Sequence, residues 1–107
     1  MRGAVFELRA PARTRGHEQT GRRYAIVVQA TRLALLSTWL VVPISTRAQP
    51  AAFRPEVEIE GHGRTRALCD AMAAVDPEVR LGRVVAYLTL VEMEQIDRSL
   101  KGLLDLV

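Results

Sequence analysis

Aromatic residues are scarce in this chain, with one Trp, two Tyr and two Phe among 107 residues. Aliphatic packing must therefore supply most of the core, and a small core of that kind is helped by a partner subunit. A single cysteine, Cys69, excludes an internal disulfide and fits a reducing cytoplasm. Its hydrophobic neighbours make it a small core residue rather than a nucleophile. Two histidines (His17 and His62) and no H-x-x-x-H or C-x-x-C spacing lead us to expect no metal site. Glycine spacings of the P-loop or dinucleotide kind are missing, so no cofactor is expected. Ser37 and Ser45 lack a G-x-S-x-G setting, which leaves an acyl-transfer triad without support. The longest apolar region, residues 24–44, is interrupted by Gln29, Thr31, Arg32, Ser37 and Thr38. That interruption argues against a membrane-spanning helix of ~20 apolar residues. Met-Arg-Gly at the start carries no apolar stretch with a cleavage site, so no signal peptide is predicted.

The length predicts one domain over residues 1–107. Hydrophobic residues make up 49% and charged residues 25%, ordinary for a globular protein. Charge is unevenly placed. Residues 1–54 carry nine arginines against Glu7 and Glu18, a net of +7. Residues 55–107 carry six basic and ten acidic side chains, a net of −4, and the two halves sum to the overall +3. A concentrated positive half points to a polyanion or an acidic partner.

Val5, Phe6 and Leu8, alternating around Glu7 and Arg9, predict a first strand. Residues 10–22 contain Pro11, Gly16 and Gly21 with no apolar period, and read as a long loop of the kind that often binds. Tyr24–Ala30 and Thr38–Ile44 are rich in β-branched residues and read as buried strands, joined by a helical turn over Arg32–Leu36. Pro43 cannot donate to a ladder and is expected to end or bulge the second. Strict alternation in PEVEIEG places Val57 and Ile59 on one face and Glu56, Glu58 and Glu60 on a solvated one. GHGRT is expected as a turn, ALCDAMAAV as a strand, Asp76-Pro77 as the start of one helical turn, and Arg83–Leu88 as the last strand. Thr89 and Glu92 form a capping box, after which Met93, Ile96, Leu100, Leu103 and Val107 follow at helical spacing. Six or so short strands closed by one C-terminal helix predict a mainly β fold, a small barrel or sandwich.

The polar groups that remain suit phosphodiesters. Cutting RNA without a metal needs a group to take the 2′-hydroxyl proton, one to protonate the leaving oxygen, and positive charge on the equatorial oxygens. An arginine fork meets phosphate bidentately and stays charged. Arg22 and Arg23 flank the start of a strand, so alternation sends them opposite ways and only one can face a shared site. Ser45 and Thr46 offer hydroxyls at the end of the next strand, close in space if the two strands pair antiparallel.

Several stretches in order along the chain carry a resemblance. They are Arg2-Gly3-Ala4-Val5, then G-x-E-Q-x-G-R-R from Gly16 running into V-V-Q at Gln29, then V-V-P-I-S-T over Val41–Thr46. A-L-C-D and V-D between Ala67 and Asp76, and L-G-R-V over Leu81–Val84, complete the set. Together they resemble the MazF/PemK endoribonuclease toxins. The resemblance implies a small SH3-like (MazF/CcdB-like) barrel with a C-terminal helix, forming a homodimer. It also implies a metal-independent, sequence-selective endoribonuclease toxin that cuts single-stranded RNA. Its partner would be a cognate antitoxin with an acidic C-terminal tail. Carried over by position, Arg23 matches the catalytic arginine, and Ser45 stands where a catalytic threonine is usual. Glu18, Gln19 and Gly21 match the loop that borders the substrate groove. Arg13, Arg15 and Arg22, with Thr46 and His17, complete the expected RNA-binding set. There are departures: Ala4 where Asp is usual, Tyr24 where Pro is common, and Ala30 in place of Asn or Ser. Ala71-Met72-Ala73-Ala74 replaces a polar run, which supports a rival reading as a catalytically degenerate, protein-binding module on the same barrel. His17 beside Glu18 reads most simply as a solvated loop residue, and His62, between two glycines, as a turn residue.

Overall fold

The computed structural model describes residues 1–10 and 23–106. Their elements run β1 (Ala4–Leu8), β2 (Arg23–Val27), β3 (Trp39–Ser45), β4 (Glu56–Ile59), β5 (Gly63–Ala67), β6 (Ala73–Val75), α1 (Pro77–Arg80), β7 (Leu81–Tyr87) and α2 (Leu90–Leu103). All strand pairs are antiparallel. They form one curled sheet in the order β4-β5-β3-β2-β1-β7, with β6 beside β3. The expected mainly β fold with a C-terminal helix is what forms. No described helix is long and apolar enough to cross a membrane.

β2 sits in the middle and is buried on both faces, which is why its sequence is almost continuously apolar. Tyr24, Ile26 and Val28 face the inside of the curl, where they meet Val5, Val42, Val57 and Ile59 and the α2 residues Met93 and Ile96. Ala25 and Val27 face the other side, with Val41, Val75 and Leu81, and Phe6 and Trp39 pack against them edge to face. Helix α2 docks through Met93, Ile96 and the partly buried Leu100, as its spacing predicts. Leu103, expected on the same stripe, is exposed and lines a hollow between residues 52–55 and the helix; Val107 lies outside the described residues.

Four expectations need correction. The GHGRT stretch is a turn only up to His62, and Gly63–Ala67 continues as β5, with Thr65 and Ala67 facing inward. ALCDAMAAV is not one strand: Cys69–Ala71 makes a 3-10 turn, and only Ala73–Val75 pairs, as β6. Thr31–Leu33 is a 3-10 turn, shorter than the helical turn expected over Arg32–Leu36. Pro43 neither ends nor bulges β3. The Val28 amide donates to the Leu40 carbonyl across β2–β3, so by alternation position 43 turns its nitrogen away from β2. On that side β3 changes partner from β6 to β5, and the Pro43 carbonyl is met by the Leu68 amide instead. The loop predicted over residues 10–22 falls, from Pro11 onward, outside the described residues.

The two ends of the sheet are unlike. β4 is short, exposes Glu56 and Glu58, and donates its Glu58 amide to Glu92 Oε2 of α2 at 2.9 Å. β7 is seven residues long and exposes Val84 and Val85, and among the described residues no strand pairs with its outer side.

Candidate functional site

Arg23 opens β2 and Ser45 closes β3. The register between them pairs Val27 with Val41, Ile26 with Val42 and Ala25 with Pro43. Continued by two residues, that register sets Arg23 opposite Ser45. Alternation also puts both on the face that carries Ala25, Val27 and Val41, so the guanidinium and the hydroxyl belong to one side of the sheet. Antiparallel pairing was the condition on which the sequence reading brought them together.

Around this pair lies a cleft of about 360 Å³. Arg23, Ser45, Thr46 and Arg47 are its polar groups at the strand ends, and Tyr24, Leu68 and Ala71 contribute apolar wall. The Ser45 oxygen accepts the Arg47 amide at 3.1 Å. A hydroxyl that accepts in this way keeps its own proton to give to a ligand. Thr65 also reaches the cleft, but its hydroxyl donates to the Val57 carbonyl at 2.8 Å and is spent on the barrel. Among the described residues the side-chain ion pairs are Arg2–Asp97, Arg54–Asp70, Arg66–Glu56 and Arg83–Glu7. Among the described residues neither Arg23 nor Arg47 belongs to one.

Arg47 and Leu68 were not singled out in the sequence. A cation two residues beyond a strand-end hydroxyl was the available signal for Arg47. Leu68 entered only as part of the A-L-C-D stretch, with no place at the site, since the turn that brings it to the cleft depends on β3 changing partners. Ala71 does line the cleft, so the substituted run Ala71–Ala74 bears on the site, whereas Ala73 and Ala74 are exposed on β6. His62 is a turn residue as expected, held between Gly61 (φ 82°) and Gly63 (φ 69°). Its ring also lies 4.7 Å from that of Tyr24, tilted by 54°, and so backs one wall of the cleft. Arg13, Arg15, His17, Glu18, Gln19, Gly21 and Arg22 lie outside the described residues.

Cys69, in the turn behind Leu68, is buried. Burial first, and the Asp70 charge second, push its thiol up to about 11, so at neutral pH it is a protonated core group. Asp70 itself is held below the usual carboxylate range by its hydrogen bond from Arg54. Among the described residues no group of three or more His, Cys, Asp or Glu is placed to hold a metal ion. A larger hollow of about 650 Å³, between residues 52–55 and α2, has one lining cation, Arg98.

A curled antiparallel sheet closed by a C-terminal helix is the fold of the MazF toxins. MazF (Form-I) from Deinococcus radiodurans superposes with a TM-score of 0.78 at 22% identity, over 96% of this chain and 94% of that one. An endoribonuclease in complex with its cognate antitoxin from a mycobacterial species does so with a TM-score of 0.78 at 16% identity, over 100% and 96%. The chain belongs to the PemK-like, MazF-like toxins of type II toxin–antitoxin systems, whose family model matches residues 1–104. It is 40% identical over 106 residues, 99% of this chain and 98% of the relative, to a Mycobacterium tuberculosis protein named as toxin Rv3098A/RVBD_3098A.

Proposed function

We propose that this toxin, acting as one domain, is an endoribonuclease that cuts single-stranded RNA without a metal. The observation that carries the reading is Arg23 opposite Ser45 at a cleft whose charges are guanidinium groups. The 2′-oxygen attacks phosphorus as the bond to the 5′-oxygen breaks, leaving a 2′,3′-cyclic phosphate and a 5′-hydroxyl. One proton leaves the 2′-oxygen and one reaches the 5′-oxygen. Arg23 meets the charge that grows on the non-bridging oxygens, where a preorganised donor is worth most. Ser45 donates its hydroxyl proton to the same phosphate and positions it. A mycobacterial relative of this fold is described with its cognate antitoxin. That supports an antitoxin as this chain's partner too, with an acidic tail suited to the same cationic cleft.

The test is cleavage of single-stranded RNA in excess EDTA, with the product ends identified. Cyclic phosphate ends are expected, and Arg23→Ala should be slower by ~100-fold or more, the scale of losing a transition-state donor. Ser45→Ala should lose less. Activity that appears only on adding Mg²⁺ or Mn²⁺ would falsify the metal-free route. A second reading, a protein-binding module without catalysis, is favoured by Ala71, which puts an apolar residue on the cleft wall. Arg23→Ala cutting at the wild-type rate would move the assignment there.

A further inference from the structure

We propose that Arg47 is a second phosphate-binding residue of the cleft, gripping the phosphate next to the scissile one; this rests on the ribonuclease reading above. The β2–β3 register, continued from Ala25 and Pro43, sets Arg23 opposite Ser45, and both line the same cleft. Arg47 lies two residues beyond the end of β3 and lines the same cleft. Two residues of extended chain advance about 6.6 Å. The bend after Ser45 shortens that step, and the long arginine side chain restores the reach. A single-stranded backbone presents its next charge one nucleotide along, so a cation displaced along the cleft meets a different phosphate. Three further observations support the role. The Arg47 side chain is exposed, it is in no ion pair among the described residues, and its backbone is tied to the Ser45 hydroxyl at 3.1 Å. That last bond fixes the position of Arg47 relative to the group expected to hold the scissile phosphate. Arginine suits the task because its fork holds phosphate in one orientation. Arg47 is therefore a binding and register residue: it sets which linkage reaches Arg23 and takes no part in proton transfer.

The experiment uses a 2′-deoxy hexanucleotide spanning the cleavage site mapped in EDTA, which binds but has no 2′-oxygen to react. A series is made in which each phosphate in turn is replaced by a neutral methylphosphonate, and affinities are read by fluorescence anisotropy. Arg47→Ala should weaken the all-phosphate strand about tenfold, the scale of one charged hydrogen-bonding group. That loss should largely vanish on one strand only, the one neutral at the linkage adjacent to the scissile position. Arg23→Ala should instead couple to the scissile linkage. The slope of log affinity against log salt should fall by roughly 0.7 in Arg47→Ala. On cleavable RNA its KM should rise while kcat stays within about twofold, the signature of lost uniform binding. Arg47→Lys, keeping charge but not the fork, should fall between. The idea is overturned if Arg47→Ala binds like wild type, if its loss is equal on every neutral-linkage strand, or if it maps to the same linkage as Arg23. Should wild type bind no RNA at all, the ribonuclease reading itself fails, and the failure is recognisable as that one.

Discussion

At the scale of single residues, burial of Cys69 has a measurable consequence. Burial pushes its thiol up to about 11 from an ordinary value of about 9. Between those values the unfolded chain gives up the proton and the folded chain keeps it. The unfolded state then binds fewer protons, so stability falls as pH rises through that window. Cys69→Ala removes this contribution. Urea midpoints measured from pH 7 to 11 should fall more steeply for wild type than for the variant above about pH 9, and parallel curves would show that the thiol is not shielded. Asp70 acts with the opposite sign, since its carboxyl is held low by Arg54 and its contribution is lost on acidification. Exposed as that pair is, the effect is small. The same scale shows what could be read from the chain beforehand. Strand parity and antiparallel pairing showed that one of Arg22 and Arg23 could meet Ser45, and the family resemblance chose Arg23. Arg47 and Leu68 were not legible there, because their place depends on how β3 is shared among three neighbours.

At the scale of elements, α2 starts on a carboxylate with three partners. Glu92 accepts from the Thr89 amide at 2.9 Å and the Thr89 hydroxyl at 3.1 Å, and from the Glu58 amide of β4 at 2.9 Å. Thr89 in turn accepts the Glu92 amide at 3.1 Å. Thr89→Ala should cost about 1 kcal/mol, the usual worth of an N-cap. Glu92→Ala should cost more, because it frees the β4 amide as well as half of the capping box. Chemical denaturation of both variants would check the order; a cheaper Glu92→Ala would mean that the link to β4 contributes nothing. The cap itself was readable, since it lies within four consecutive residues. β5 was missed for the converse reason. Its arginines break the apolar pattern, and only Thr65 and Ala67 face inward.

At the scale of the whole molecule, charge separates along the chain: +7 in residues 1–54 and −4 in residues 55–107. If RNA and an acidic antitoxin tail share the cationic cleft, Arg13→Glu combined with Arg15→Glu should weaken both in parallel. Affinities for the two ligands across a salt series should show it, with sedimentation confirming that the state of association is unchanged. A variant that loses antitoxin yet cuts RNA normally would place the antitoxin elsewhere. The unlike ends of the sheet carry a further consequence. Strand-to-strand stacking becomes endless only when each copy offers two free margins, one to give and one to take. Here the Glu58 amide of β4 is taken by Glu92 and β6 is only three residues long, which leaves β7, among the described residues, as the one long strand with an open outer side. Two copies that met through β7 would have used up the one long margin each could offer. Growth by this route is self-terminating, so a concentrated preparation that sticks by its sheets should yield discrete pairs and not fibrils.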